Sequence, residues 1–463
     1  MSKEKNTGTR AVYFIGIGGI GMSAIARYFH TKGVKVAGYD KTESDLTRQL
    51  QAEGIPVHFS DDPALVLKDA DLVVYTPAVP QDHKELNFFL DHSYRVVKRS
   101  DVLEMITADS FNICIAGTHG KTTTTTMVAH LLRDSGFGCN AFLGGISVNY
   151  DTNFWSSEKN VCVVEADEYD RSFLKLHPDM AVITAMDPDH LDIYGTATAM
   201  EDAFIAFSGQ VKEEGLLVSK FGLSRGKELK APRRMTYSLQ NDHADNYASN
   251  IRMKNGSYSF DVMMKENMLD DVVLNMGGMH NVENAVAAIS IASSLGIAND
   301  KIKKSVESFR GVKRRFEYVV KNQRVVYIDD YAHHPEELRA LINSARALFH
   351  EKKCTVIFQP HLYTRTRDLA PGFSEVLNLA DNLILLPIYP ARELPIQGVT
   401  SEMILDKMNH SNGKVLTKDE VLKYIEKDFS KNLDKEFGEV LITAGAGDID
   451  LLVNPIKQML EKI

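Results

Sequence analysis

The stretch Phe111-Asn-Ile-Cys-Ile-Ala116-Gly117-Thr118-His119-Gly120-Lys121-Thr122-Thr123 reads as a buried strand, a tight glycine turn and the entry to a helix that runs to about Arg133. A turn of this kind aims several backbone N–H groups, and the positive end of the helix dipole, at one point in space, so an anion belongs there. Lys121 can reach terminal phosphates as a compact cation, and the Thr122 hydroxyl stands where such loops bind Mg²⁺. Gly117, Thr118, His119, Gly120 and Thr123 complete the cradle. Gly117 and Gly120 are three residues apart, where the general phosphate-loop motif has five.

Acidic residues stand where a nucleotide–metal site needs them. After the apolar run Val161–Val164 comes Glu165-Ala-Asp167-Glu168, carboxylates at a strand's carboxyl end, where open α/β sheets place their ligands. One of them should hold Mg²⁺. The run Val182-Ile-Thr-Ala185 ends in Met186-Asp187-Pro-Asp189-His190-Leu-Asp192, a second such strand end. Gly277-Gly-Met-His280-Asn281-Val-Glu-Asn284 opens a helix with amide side chains that can meet the donor–acceptor edge of adenine, or simply cap the helix. Lys313, Arg314 and Arg315 can clamp phosphates or coat a surface.

Nearer the N-terminus, Gly16-Ile-Gly18-Gly19-Ile-Gly21 follows the strand Ala11–Ile15 and precedes a helix from Met22, with Asp40 closing the next strand. Alone, this G-x-G-x-x-G loop indicates a dinucleotide oxidoreductase. Beside a separate ATP loop it fits a diphosphate of another kind, such as a nucleotide sugar. A third alternation of strands and helices begins after Gly311–Phe316, with strands Val325–Ile328, Thr355–Phe358, Asn382–Leu386 and Val440–Thr443. Its strand ends carry Asp329-Asp330-Tyr331-Ala-His333-His334-Pro335 and Gln359-Pro-His361-Leu362-Tyr363-Thr-Arg365. Adjacent histidines on extended backbone point opposite ways, which argues against joint chelation. Arg365 suits bidentate capture of a carboxylate.

The 463 residues form an α/β chain for which we expect three domains: an N-terminal Rossmann-like domain over 1–108, a central P-loop ATPase-like domain with a parallel sheet over 109–321, and a C-terminal Rossmann-like domain over 322–463. The polar, strand-like stretch Gly209–Val273 reads as an antiparallel extension of the middle domain. A net charge of -9 argues against nucleic-acid binding. Cys114, Cys139, Cys162 and Cys354 are scattered and read as reduced thiols. The polar start Met1–Arg10 lacks a signal-peptide core, and no run approaches the roughly 18 apolar residues of a membrane span. A cytoplasmic protein without membrane insertion is expected.

In order along nearly the whole chain, Gly16–Met22, Gly117–Thr122, Glu165–Glu168, Asp189-His190, His280-Asn281, Arg314-Arg315-Phe316, Asp330-Tyr331 with His333-His334-Pro335, and Gln359-Pro-His361 resemble the Mur ligases of bacterial cell-wall synthesis. The short phosphate loop is the form that family uses. The resemblance implies ATP-driven joining of L-alanine to the lactyl carboxylate of UDP-N-acetylmuramate. It implies that Lys121 steadies the β- and γ-phosphates, that Thr122 and Glu165 bind one Mg²⁺ and His190 a second, and that His280, Asn281, Arg315 and Asp330 contact ATP. Tyr331, His333, His361 and Arg365 should meet alanine, with Arg365 on its carboxylate. Gly16, Gly18, Gly19 and Gly21 should hold the uridine diphosphate, with Asp40, Thr76 and Arg99 near that substrate. Two departures stand out: no lysine lies between Leu191 and Val211, where several relatives carry a carbamoylated one, and Leu362 occupies a position that is often Arg.

Overall fold

A computed structural model describes residues 8–188, 191–265, 267–408 and 413–463, so Asp189 and His190 lie outside the described residues. The chain divides into two compact units, one of Met1–Ala248, Val262–Met268 and Asn284–Ser305, the other of Ser249–Asp261, Leu269–Glu283 and Val306–Ile463.

The first unit opens with a five-stranded sheet of β1 (Ala11–Ile15), β2 (Lys35–Tyr39), β3 (Val57–His58), β4 (Leu72–Tyr75) and β5 (Val96–Lys98), in the order β3-β2-β1-β4-β5. Every pairing is parallel. Side chains alternate across a strand, and β1 sends Val12 and Phe14 into one apolar cluster and Tyr13 and Ile15 into another. Both faces are therefore covered, which explains why the strand reads as an unbroken apolar run. The helix Ile20–Thr31 brings Met22, Ile25, Ala26 and Phe29 to the first of those clusters at helical spacing.

The second sheet centres on β6 (Phe111–Ala116). Its further strands are β7 (Asn140–Ser147), β8 (Thr152–Trp155), β9 (Val161–Glu165), β10 (Met180–Ile183), β11 (Leu216–Lys220) and β12 (Arg233–Ser238), in the order β12-β11-β10-β6-β9-β7-β8. Only β7–β8 pairs antiparallel among these. The expectation of an antiparallel extension from Gly209 onward needs correction. Strands β11 and β12 continue the parallel sheet, and β13 (Asn246–Lys254) starts parallel to β12. The polar appearance of β12 comes from Arg233 and Arg234, which are exposed, while Tyr237 and Ser238 are buried. The antiparallel part begins at Asn255-Gly256, both at positive φ, a two-residue turn of hairpin type joining β13 to β14 (Ser257–Met264); β15 (Asn267–Leu274) follows.

In the second unit, β16 (Glu317–Lys321), β17 (Val325–Asp330), β18 (Lys353–Phe358), β19 (Asn382–Leu385), β20 (Gly413–Val415) and β21 (Glu439–Ala444) form a sheet in the order β16-β17-β21-β18-β19-β20. Its core strands are parallel and β16 is an antiparallel edge. Each of the three sheets thus belongs to an α/β domain dominated by parallel pairing. Among the described residues no helix is long and apolar enough to cross a membrane. All four cysteines are buried free thiols.

One titrating cluster is built into the first sheet. Glu85 is fully buried, accepting from the Tyr13 hydroxyl at 2.7 Å and from the Asp62 N–H at 3.1 Å. The same hydroxyl lies 2.7 Å from His58 Nε2. Burial pushes the Glu85 carboxyl up to about 7. A carboxyl raised in the folded state adds stability that is full at pH values below its unfolded pKa and lost as pH rises through about 7. Glu85→Gln should remove that slope and raise the thermal midpoint at pH 8 by about 3 °C relative to wild type. Thermal melts across pH 4.5 to 8 check it; parallel profiles for the two proteins would contradict it.

Candidate active site

The turn after β6 depends on its glycines. Gly117 has φ +136°, and a Cβ there would stand 2.1 Å from Thr184 Oγ1 and 2.8 Å from the Ala185 nitrogen. Gly120, at φ +80°, caps the helix Lys121–Asp134. The loop is fastened to the end of β10: the Thr118 N–H donates to the Ala185 carbonyl, the Asp187 N–H to Thr118 Oγ1, and the Thr184 hydroxyl to the carbonyls of Ala116 and His119. Lys121 donates to the Gly117 carbonyl at 2.6 Å and to Glu168 at 2.7 Å. Thr123 is buried in the first turn of the helix.

The acidic residues after β9 divide their tasks. Glu168 is fully buried and pairs with Lys121. Glu165 accepts from the Thr122 hydroxyl at 3.0 Å. Gly144, on β7, leaves room for that carboxylate: a Cβ there would lie 2.1 Å from Glu165 Oε2. A hydroxyl and a carboxylate held this close are hard oxygen donors of the kind Mg²⁺ takes, with phosphate and water completing the shell. Among the described residues no three His, Cys, Asp or Glu side chains form a ready-made cage. The expected second metal ligand, His190, lies outside the described residues.

Gly16, at φ +86°, and Ile17 both donate to the Tyr39 carbonyl, and a Cβ on Gly16 would meet Thr76 at 2.9 Å. Gly21 sits against Arg99, 3.0 Å from a would-be Cβ. Asp40 accepts from the N–H groups of Gly18 at 2.8 Å and Thr42 at 3.0 Å, so its carboxylate organises the loop. It does not line the adjoining cavity. That cavity, of about 360 Å³, is bounded by Gly19, Gly21, Thr76 and Arg99 together with Gly144, Glu165 and Asp167. Arg99 Nη2 stands 3.6 Å from Asp167. The cavity thus joins the glycine loop to Glu165, whose carboxylate accepts from Thr122 of the phosphate loop.

The second unit gathers its own set. Asp330 accepts from the Phe316 N–H at 2.6 Å and the Ala332 N–H at 2.7 Å, tying the 314–316 turn to the strand end. The guanidinium groups of Arg314 and Arg315 lie 5.1 and 5.5 Å from the Tyr331 ring centre. Asp329, fully buried, accepts from Thr443 at 2.6 Å, and burial pushes its carboxyl up to about 7. The two histidines diverge: His334 caps the helix Pro335–Leu348, while His333 turns toward Tyr331 and His361. Arg365 lies 3.3 Å from His361 Nδ1, and the His361 ring stacks on Tyr389 at 17°. Burial lowers the affinity of His333 and His361 for protons, so both rings are neutral at neutral pH. Leu362 takes φ +70°, its N–H held by the Tyr389 carbonyl. Asn281 is buried and donates to the Gly277 carbonyl at 2.6 Å, whereas His280 is exposed.

Comparison with known proteins agrees with this layout. The profile of the Mur ligase family catalytic domain matches residues 11–111, that of the Mur ligase middle domain 115–292, and that of the Mur ligase glutamate ligase domain 314–447. The chain belongs to the Mur ligase family. A UDP-N-acetylmuramate--L-alanine ligase of Porphyromonas gingivalis is 49% identical over 461 residues, covering 98% of this chain and 100% of that protein. The ligase of the same name from Cytophaga hutchinsonii is 47% identical, with 98% of each chain covered. The crystal structure of UDP-N-acetylmuramate-alanine ligase from Thermotoga maritima superposes with a TM-score of 0.81 at 28% identity, covering 98% of this chain and 99% of that one.

The Mur ligase fold brings into the site residues that the sequence reading passed over. Gly144, Phe142 and Leu143 come from β7, an element not foreseen, although the glycine pair inside Ala141-Phe-Leu-Gly-Gly-Ile146 is the sort of signal that marks a close approach to a strand. Asn284, one of the amides expected near a nucleotide, stands 2.9 Å from a would-be Cβ on Gly120. Gly117→Ala should weaken ATP binding at least about tenfold, because the added Cβ must displace the β10 end that holds the loop. Calorimetric titration on protein whose melting is unchanged checks this; wild-type affinity would contradict it.

Proposed function

We propose that this Mur ligase joins L-alanine to the lactyl carboxylate of UDP-N-acetylmuramate, converting ATP to ADP and phosphate, as a cytoplasmic step of peptidoglycan precursor synthesis. The observation that carries the reading is the cavity of about 360 Å³ that leads from the glycine loop to Glu165, beside Thr122 and Lys121. Such a space suits a long substrate gripped by its diphosphate at one end and activated at the other. The near-half identity to alanine ligases along the whole chain supports alanine as the amine. In domain terms, residues 1–108 would bind the UDP-sugar, 109–321 ATP, and 322–463 the amino acid and part of ATP.

The chemistry requires activation because a carboxylate is anionic and its oxide leaves poorly. A lactyl carboxylate oxygen bonds to the γ-phosphorus of ATP while the bond from that phosphorus to the β,γ-bridging oxygen breaks, leaving ADP and an acyl phosphate. The free amine of alanine then attacks the acyl carbon. The tetrahedral adduct loses a proton and expels phosphate, leaving the amide.

Negative charge develops twice, and fixed donors stabilise it best where they need no reorganisation. Lys121 would turn its ammonium from the Gly117 carbonyl to the β- and γ-phosphates while Glu168 keeps its side chain extended. The backbone of 117–123 would cradle those phosphates. Thr122 and Glu165 would hold Mg²⁺, which when bound offsets charge on the phosphoryl oxygens. His190 is proposed as a ligand of a second ion. Arg99 and Thr76, with Gly16, Gly18, Gly19 and Gly21, would take the diphosphate and sugar, and Asp40 would keep that loop in shape. For alanine, Arg365 would pair with the carboxylate, with His361, His333 and Tyr331 around it, and the neutral histidines suit an amine that must shed its proton. Arg315, Asp330, His280 and Asn281 are proposed to meet ATP.

An ADP-release assay with UDP-N-acetylmuramate tests the reading. L-alanine should support turnover, and Lys121→Ala should lower kcat by about 100-fold or more in protein shown to be folded by circular dichroism. Turnover with a tripeptide but not with alanine would reassign the enzyme to a peptide-attaching ligase. No ADP with any amine would point to a non-catalytic nucleotide sensor.

A further inference from the structure

Asn153, on β8, is fully buried, and its amide faces the first helix of the N-terminal sheet rather than its own sheet. Its Nδ2 donates to the Ile20 carbonyl at 2.5 Å and to Ser23 Oγ at 2.9 Å, and its Oδ1 accepts from Arg27 Nη1. Arg27, itself 4% exposed, is held from the other side by Glu53 at 2.7 to 3.1 Å. A primary amide is the one neutral side-chain group that donates twice and accepts from a single rigid plane. Ile20 lies between Gly19 and Gly21, so the amide grips the helix within the glycine loop itself.

The same hairpin reaches the other end of the cavity. β8 pairs with β7 through Phe154 opposite Phe142 and Trp155 opposite Ala141. β7 supplies Phe142, Leu143 and Gly144 to the cavity wall, with Gly144 against Glu165. Adhesion between helix and hairpin is already provided by Tyr28, whose ring centre lies 5.6 Å from that of Phe142 and 6.1 Å from that of Phe154. A buried polar cluster beside such packing adds little net stability, because desolvation offsets most of its gain; what it fixes is register.

We propose that Asn153 is a positioning residue that sets the span between the glycine loop and Glu165, so that a substrate held by its diphosphate presents its carboxylate at the phosphoryl-transfer centre. This rests on the reading of the loop as the uridine-diphosphate cradle. Misplacing a reacting group by about 1 Å can cost about 100-fold in rate.

Two variants test it. Asn153→Ala removes all three contacts. Asn153→Asp keeps an acceptor for Arg27, which safeguards folding, and removes the two Nδ2 donations to the Ile20 carbonyl and to Ser23, whose own hydroxyl donates to Ile20. Both should lower kcat with UDP-N-acetylmuramate by about tenfold or more. The dissociation constant of UDP alone, which needs only the loop, should stay within about twofold of wild type, as should the KM for ATP. Parallel weakening of UDP and loss of kcat would mean a merely structural role, and unchanged kcat in folded Asn153→Asp would equally overturn the proposal. Wild type that forms no ADP with UDP-N-acetylmuramate and alanine would instead defeat the functional reading on which it stands.

Discussion

An ammonium largely shielded from water must be paired, and the pairing of Lys121 with the Gly117 carbonyl and the fully buried Glu168 is the constraint around which the middle of the chain is arranged. It can form only because β6 lies between β9 and β10 in parallel register, so that three strand ends open side by side. From β6 comes the glycine turn, from β9 the carboxylates, and from β10 the threonine and backbone groups that fasten the turn. Thr122 and Glu165 then meet one helical residue along, next to a cation already aimed. A parallel sheet covered on both faces is thus a means of bringing residues separated by 47 positions within 2.7 Å.

That arrangement explains the role of the N-terminal sheet. Phosphoryl transfer to a carboxylate needs the acceptor in line with the γ-phosphate, and a substrate anchored by a remote diphosphate uses that anchor to fix the angle and distance. In the proposed reaction the cavity between Gly21 and Glu165 would supply the path, with Arg99 and β7 in its wall. In the second unit the same logic recurs on a smaller scale. Asp330 organises two backbone segments, and the stacked pair His361 and Tyr389 supports Arg365.

Much of this was legible in the residues. The three strand–turn–helix entries after Ile15, Ala116 and Ile328 announced themselves by apolar runs ending in glycine or acidic clusters; the first two strands end at Ile15 and Ala116, and the third runs on to Asp330. The family likeness was carried by short motifs at strand ends, which is where chemistry and local geometry coincide. What escaped was set by pairing rather than by pattern. β12 looks like an antiparallel strand because its exposed residues Arg233 and Arg234 are polar, and only its parallel register with β11 settles its direction. The β7–β8 hairpin was invisible because its significance lies in what Gly144 and Asn153 touch, residues distant in sequence. Asp40 closes the second strand as the glycine-loop spacing predicts, and its carboxylate accepts from the Gly18 N–H, a contact that spacing alone does not give.

Activation of the acid by phosphoryl transfer at the Lys121 and Glu165 site leaves an isotopic trace. UDP-N-acetylmuramate labelled with oxygen-18 in both lactyl carboxylate oxygens measures it directly. An acyl phosphate requires one labelled oxygen to leave in the inorganic phosphate and the other to remain in the amide. Phosphate released without label, with ADP and amide formed in equal amounts, would contradict the account.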